Sequence, residues 1–182
     1  MWTDPIVTVA QTEEPISLAE AKAQCRVDGS DSDTELALYI AAARDYVEKY
    51  TGLRLSPQTV TFSTRNFKTE MPIHVAPVQS LTIAYLDSER NSQALATSVY
   101  DSDGLNTLRP VIRRAENQSW PTVAMTNEAI TVTAVVGYSI IPAAIKQALL
   151  LLVSQSFEMR EDMEQKSTTT VDALLANYRI FT

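Results

Sequence analysis

The stretch from Asp33 to Gly52 reads DTELALYIAAARDYVEKYTG and carries the clearest secondary-structure pattern in the sequence. Along it, apolar and aromatic residues recur at spacings of three and four, which is typical of an α-helix with one buried face. Gly52 follows the last turn, where glycine most easily adopts the left-handed conformation that ends many helices. The pattern therefore predicts a helix that ends before Gly52. Five residues form its predicted buried face: Leu36, Ile40, Ala43, Val47 and Tyr50.

The segment before this helix predicts a second, shorter helix. Its sequence SLAE places Ser17 at the N-cap and Glu20 three residues later, which is the spacing of a capping box. We expect this helix to run from Leu18 to Val27. A second capping box, formed by Ser32 and Glu35, is expected at the start of the long helix.

The hydrophobic period changes between residues 58 and 137. Short segments rich in Val, Ile, Thr and aromatic residues are separated by Pro, Asn, Asp or Gly, which indicates an antiparallel sheet or a small sandwich. In AITVTAVVG at 129–137, apolar residues alternate with threonines and so occupy one face. Residues 1–15 also look extended, and their IVTV segment is expected to form a short edge strand.

A third helix is predicted to begin at Pro142, a residue that suits the first turn of a helix. Its middle, ALLLLV at 148–153, is apolar on all sides, and such a helix must be covered on all sides. This favours a place at the centre of the fold or in a subunit interface. After a polar hinge containing KSTTT, the chain ends on the apolar segment VDALLANYRIFT at 171–182.

These elements predict an α+β fold. Its antiparallel helical core consists of the two N-terminal helices and the long C-terminal helix, with a β-rich antiparallel insertion between them and a C-terminal docking arm. We expect four segments: an extended stretch with the helical pair at 1–57, the insertion at 58–140, the core helix at 141–166 and the arm at 167–182.

The charge balance argues against sequence-specific DNA binding. In 182 residues the chain has 15 Lys and Arg against 22 Asp and Glu, giving a formal net charge of -7 and a pI near 4.7. Nucleic-acid-binding proteins usually carry the opposite sign, because much of their affinity comes from neutralising phosphates. An acidic surface that DNA passes without sticking remains compatible with this charge.

Few side chains suggest catalysis. The single histidine, His74, lies in a strand-like segment, the single cysteine, Cys25, lies in a helical one, and the chain has no G-x-S-x-G motif. Lone residues of these types are usually structural, and zinc would require clustered ligands. DSDG at 101–104 fits a turn better than a calcium loop. We therefore expect no enzyme, no metal and no cofactor.

We also expect a soluble cytoplasmic protein that has no contact with a membrane. The first sixteen residues lack the basic cluster and apolar segment of a signal peptide. The longest aliphatic run, at 148–153, is too short to span a bilayer.

Four regions carry a resemblance to a known family. Residues 14–55, EPISLAEAKAQCRVDGSDSDTELALYIAAARDYVEKYTGLRL, resemble the N-terminal half of tailed-phage head–tail connector proteins of the gp6-like type. PVQSLTIAYLD at 77–87 and PAAIKQALLLLV at 142–153 are similar to its longer, gp8-like branch, as is the ending VDALL followed by YR. Cys25 departs from the pattern, since leucine is commoner there. Gene transfer agents, which are domesticated phage-like particles, use similar proteins.

The resemblance implies a structural adaptor without catalysis. Such proteins form a homo-oligomeric ring, expected here to be a dodecamer, beneath the portal protein at the head–tail interface of a virion or phage-like particle. The ring extends the channel through which double-stranded DNA passes without sequence recognition. It also presents a platform to a head-closure or tail-completion protein.

Three sets of residues are candidate contact sites. The candidate anchors for docking to the portal or an adjacent subunit lie at the chain end: Leu174, Leu175, Tyr178, Arg179, Ile180 and Phe181. The candidate subunit interface uses apolar helix positions: Leu36, Ile40, Ala43, Val47, Leu150 and Leu151. The candidate DNA-facing residues lie in RPVIRR: Arg109, Arg113 and Arg114.

Two of these sets have an alternative. In it, the chain end folds back on its own helices, and the arginines lie on a solvated strand or form an ion-pairing surface. For the whole protein, the alternatives are a head-closure or tail-completion protein that contacts the tail, or, in a different class, a small-ligand-binding or regulatory module.

Overall fold

The computed structural model describes residues 2–159 and 169–180, which divide into two compact units. The first, here called the β unit, contains residues 2–12 and 57–138. The second, the helical unit, contains residues 13–56, 139–159 and 169–180. The α+β class predicted from the sequence is confirmed, since helices and antiparallel strands form separate units.

The described part of the helical unit has four α-helices. They are α1 (Leu18–Cys25), α2 (Asp33–Thr51), α3 (Ala143–Glu158) and α4 (Thr169–Leu175), followed by a short 3-10 turn at Ala176–Tyr178. Helix α3 packs against each of the other three, and α1 also packs against α2. The apolar third helix predicted from the sequence is therefore central to this unit.

The core of the helical unit comes from all four helices. The predicted apolar face of α2 is confirmed, because Leu36, Ile40, Ala43 and Val47 are buried and Tyr50 is half-buried. Ala21 of α1 and Ala148 of α3 are fully buried, and side chains this small let neighbouring backbones approach closely. The largest fully buried side chains of the unit include Ile16, Leu36, Val47, Ile145, Leu149 and Leu175.

The capping box predicted at the start of α1 is present. The Glu20 backbone N–H donates to Ser17 Oγ at 3.2 Å, and the Ser17 N–H donates to Glu20 Oε2 at 3.0 Å. The helix ends at Cys25, before the predicted Val27. It ends there because Arg26 adopts a left-handed conformation (φ 55°) that turns its N–H back toward the carbonyls of the last turn.

The second capping box, predicted for Ser32 and Glu35, is wrong. Ser32 has φ -102° and ψ 7°, which is not the extended backbone of a capping serine, and its side chain makes no capping hydrogen bond. Glu35 instead accepts a hydrogen bond from the Tyr39 hydroxyl at 2.9 Å. The start of α2 is held by an ion pair between Asp33 and Lys22 of α1.

The β unit contains two antiparallel sheets among its described residues. The larger sheet has the strand order β1-β2-β8-β4-β5, and the smaller has β3-β7-β6. The strands are β1 (Ile6–Val9), β2 (Gln58–Thr64), β3 (Glu70–Pro72), β4 (Val78–Leu86), β5 (Ser92–Ala94), β6 (Tyr100–Asp103), β7 (Val111–Arg114) and β8 (Ile130–Val136).

One hydrophobic core lies between the two sheets. Val60, Phe62 and Val132 of the larger sheet and Met71 and Ile112 of the smaller sheet belong to a single buried cluster. Strands β2 and β8 alternate strictly between buried and half-buried residues, as the apolar–threonine alternation predicts. The β unit is therefore a small sandwich, which was one of the two arrangements expected.

The first twelve residues require a correction to the expected segments. We expected 1–57 to form one segment with the helical pair, but residues 2–12 belong to the β unit. Strand β1 pairs with β2, with Ile6 opposite Thr61, and the Trp2 ring meets Phe62 edge-on at 4.9 Å. The hydrogen bonds of the β1–β2 pair and the packing of Trp2 hold these residues in the β unit, although the helices follow them directly in the sequence.

The two serines offer a direct test of helix capping. We expect Ser17→Ala to lower the free energy of unfolding of the helical unit by about 1 kcal/mol, because the N-cap hydrogen bond is lost. Ser32→Ala is the matched control and should change it by less than about 0.5 kcal/mol. Urea unfolding followed by circular dichroism at 222 nm measures both, and equal effects would contradict the assignment.

Glu20 also ties α1 to α3. Its carboxylate forms an ion pair with Lys146, and this hydrogen bond, together with that from Ser17, lowers the pKa of the Glu20 carboxyl below its ordinary value of 4.5. Both side chains are partly exposed, so solvent screens the pair and its contribution to stability is small.

The pH dependence of Glu20→Gln tests this pair. Because the folded-state pKa is lowered, the stabilisation is fully present above the unfolded-state pKa and is lost as the pH falls through the folded-state value. We expect the variant to be less stable than the wild type at pH 7, by well under about 1 kcal/mol. The gap should shrink in urea unfolding series taken below pH 4.5. A gap that does not change with pH would contradict the ion pair.

Candidate functional site

The described residues do not bring together a catalytic or metal centre. Within residues 2–159 and 169–180, no three His, Cys, Asp or Glu side chains are placed to hold a metal ion. Cys25 is half-buried in the helical unit, where burial raises the pKa of its thiol and disfavours the reactive thiolate. His74 is exposed in the β unit. None of the described helices has the length and apolar character needed to cross a membrane.

The end of the chain packs on the helices of its own unit. Helix α4 lies against α3, and its Val171 and Leu175 side chains are 4% and 0% exposed. The Arg179 guanidinium lies 4.7 Å from the centre of the Tyr50 ring. This is the alternative in which the terminal segment folds back on its own helices.

The terminal segment also closes the end of α2. Gly52 has φ 77° and donates its N–H to the Glu48 carbonyl at 2.9 Å, while the Ile180 N–H donates to the Thr51 carbonyl at 2.8 Å. A Cβ at Gly52 would lie 3.5 Å from the Ile180 Cβ. The last carbonyls of a helix lack partners within the helix. The C-terminal strand-like residues therefore supply one of these partners.

The predicted docking residues differ in accessibility. Leu175 requires a correction, because the side chain is fully buried in its own unit and presents no surface to a partner. Leu174, Tyr178 and Ile180 are half-buried and Arg179 is exposed. Phe181 and most of the predicted hinge lie outside the described residues.

The predicted subunit-interface residues fall into two groups. The four on α2 (Leu36, Ile40, Ala43 and Val47) are buried within the chain itself, because α1 and α3 cover this face. They therefore serve first as core residues. Leu150 and Leu151 of α3 are half-buried and keep some accessible surface. The large apolar side chains exposed on the helical unit include Leu38, Ile140 and Met159.

A groove that the sequence did not reveal lies on the helical unit. It encloses about 350 Å³ and has an acidic rim, where Glu14 pairs with Arg44 at 3.0 Å. The sequence signal for this groove is the acidic pair Glu13-Glu14, which stands directly before Pro15 and Ile16. The lining residues are Glu13, Glu14, Ile16, Ser17, Leu18, Ala37 and Ile40.

The candidate DNA-facing arginines are all exposed on the β unit. Arg113 Nε lies 3.0 Å from Glu70 of β3, and its Nη1 lies 2.5 Å from Asp103 of β6. The hydrogen bond that Arg113 donates to Asp103, together with the charge of Glu70, raises the pKa of the guanidinium. Arg113 therefore fits the ion-pairing alternative, because carboxylates on the neighbouring strands β3 and β6 largely neutralise its charge.

The described residues thus offer a groove, half-buried apolar side chains and paired surface charges as candidate contact features. The chain belongs to the head completion protein family, whose family model matches residues 14–172. This match includes most of both units. The predicted class, a structural head–tail connector protein, is confirmed by this membership, and the family is one of structural virion proteins.

The fold is shared with chains from gene transfer agent (GTA) particles. A chain in the neck of an empty GTA particle with C6 symmetry is 19% identical with a TM-score of 0.80, covering 99% of this chain and 97% of that one. A chain in the virion of a native GTA particle is 20% identical, with the same TM-score and coverage. A third, in the neck of a native GTA particle with C12 symmetry, is 19% identical with a TM-score of 0.71 and 96% coverage of both chains. No curated protein sequence matches this chain.

Two adjacent leucines test the packing of the terminal segment. We expect Leu175→Ala to destabilise the helical unit by about 2–5 kcal/mol, because it leaves a cavity against α3. Leu174→Ala is the matched control and should cost about 1 kcal/mol or less. Thermal and urea unfolding of both variants provide the measurement. A larger loss for Leu174→Ala would show that the segment does not pack as described.

Proposed function

We propose that this chain is an adaptor that forms a ring beneath the portal protein and joins the head of a phage or phage-like particle to its tail. The observation that carries the proposal is the family match over residues 14–172. The likeness of fold to chains from GTA necks, over nearly the whole length, supports a place at the head–tail interface. The role requires contacts and a channel, and it requires no catalysis.

The proposed ring is a dodecamer of head-to-tail contacts. The C12 symmetry of the neck that contains a similar chain supports this number. A closed ring needs two different patches on each subunit, because one self-complementary patch would only give a dimer. On the helical unit, the half-buried Leu150 and Leu151 and the exposed Leu38 are available for such contacts.

The portal contact is proposed to use the accessible part of the chain end. Leu174, Tyr178, Arg179 and Ile180 keep accessible surface while the backbone is held at the end of α2. A docking surface that is already ordered loses less conformational entropy on binding than a free arm does. The docking arm expected from the sequence is therefore proposed to act as a preformed surface.

The proposed channel lets double-stranded DNA pass without holding it. The chain carries a net charge of -7, and Arg113, one of the candidate DNA-facing arginines, is paired with two carboxylates. A surface of this sign repels phosphates and so disfavours sticking. A head-closure or tail-completion protein is the proposed partner on the tail side.

Light scattering of the purified chain, alone and mixed with its cognate portal, tests the proposal. We expect the mass of the portal to rise by a full ring of chains of 20.1 kDa each. Tyr178→Ala with Arg179→Ala is the docking variant, which should fold and yet bind the portal weakly, since neither residue is fully buried.

A chain that ignores the portal would overturn the adaptor proposal. If that chain instead binds a tail protein, the head-closure alternative holds, which the name of the family also fits.

A further inference from the structure

The edge strand β1 presents an unusually apolar surface. Ile6, Val7 and Val9 are 67%, 44% and 58% exposed, and all four residues of the strand are exposed. The strand lies at one edge of the larger sheet and pairs only with β2 within it. Its outer edge therefore offers free backbone hydrogen-bonding groups flanked by apolar side chains.

Proteins usually protect such an edge. Charged side chains, prolines, bulges or a covering element discourage an edge strand from pairing with another chain. Residues 6–9 contain no charged residue and no proline. Asp4 and Pro5 precede the strand, and within it the protection is an irregular register between Val7 and Val9. An edge with this composition is suited to strand addition by a partner.

The opposite edge of the same sheet is β5, and it points the same way as β1. Each neighbouring pair in the order β1-β2-β8-β4-β5 is antiparallel, so the first and fifth strands share one direction. Two unlike edges on opposite sides of one sheet are the kind of surfaces that a head-to-tail ring contact requires.

Charges at the starts of the two edge strands are complementary. Asp4 lies two residues before β1, and Arg90 lies two residues before β5; both are exposed. In a parallel pair of these strands, Ile6 of one copy would lie beside Ser92 of the next. Asp4 would then be at the same end of the pair as Arg90, which lies in the turn before β5 (φ 67°). Opposite charges at this shared end favour one register over others.

We propose that β1 of one copy pairs in parallel with β5 of the next copy, so that the larger sheets join edge to edge around the ring. The occupant of the apolar edge is thus a second copy of this chain. The inference rests on the proposed ring and specifies one of its contacts. Pairing of β1 with another β1 would give a two-fold dimer and would not close into a ring.

Engineered cysteines test this contact in full-length chains bound to the portal. In a Cys25→Ser background, we expect Ile6→Cys combined with Ser92→Cys to give a covalent ladder on oxidation that stops at the ring size. A mixture of the two single variants should give dimers, and each single variant alone should give monomers. Ile6→Cys combined with Ser119→Cys, an exposed site outside the strands, is the matched control and should stay monomeric.

Charge reversal provides a second readout. Asp4→Lys and Arg90→Glu should each raise the concentration needed for half-maximal ring assembly by about twofold to fivefold, and the double variant should recover most of the loss. A double variant as weak as the sum of the singles would overturn the proposed register.

The outcomes separate this inference from the adaptor function. Full rings on the portal by light scattering without the Ile6–Ser92 ladder would overturn the strand contact and leave the adaptor function standing. Covalent dimers of Ile6→Cys alone would overturn it in favour of β1 self-pairing. A wild-type chain that forms no ring on the portal would overturn both proposals.

Discussion

The packing of α2 against α3 is the interaction on which the rest of the structure depends. The two helices come from distant parts of the sequence, 33–51 and 143–158, and their contact buries the apolar face around Leu36 and Leu149. Burial of side chains of this size is worth about 1.5–3 kcal/mol each. The chain leaves the helical unit after Ser56 and returns at Ser139, so most of the β unit is an insertion between α2 and α3, joined by strand β1 from the start of the chain.

Local periodicity predicted the elements well, because burial on one face imposes a repeat that the sequence must display. It failed where a contact between residues far apart in the sequence determines the local structure. Ser17 and Ser32 carry the same spacing to a glutamate, yet only Ser17 caps its helix, since Lys22 holds Asp33 at the start of α2. Strand β1 joins the β unit through pairing with β2, which no local pattern shows.

The sequence predicted which types of residue make the contacts, but it did not predict which of these side chains are exposed. Leu174 and Leu175 cannot be told apart by sequence, because the phase of α4 against α3 decides which one is buried. The sequence showed Arg113 as a positive charge but not its two carboxylate partners, because these lie on other strands. The family resemblance supplied the functional class, and the structure then determined which side chains remain accessible to a partner.

The bond from Ile180 to the Thr51 carbonyl has a consequence for synthesis on the ribosome. The β unit is complete once residue 138 has emerged, whereas α3 stays partly uncovered until α4 has been translated, and the end of α2 lacks its partner until Ile180 follows. Chains that terminate early therefore lack the cover of their own core, and cellular proteases remove such chains.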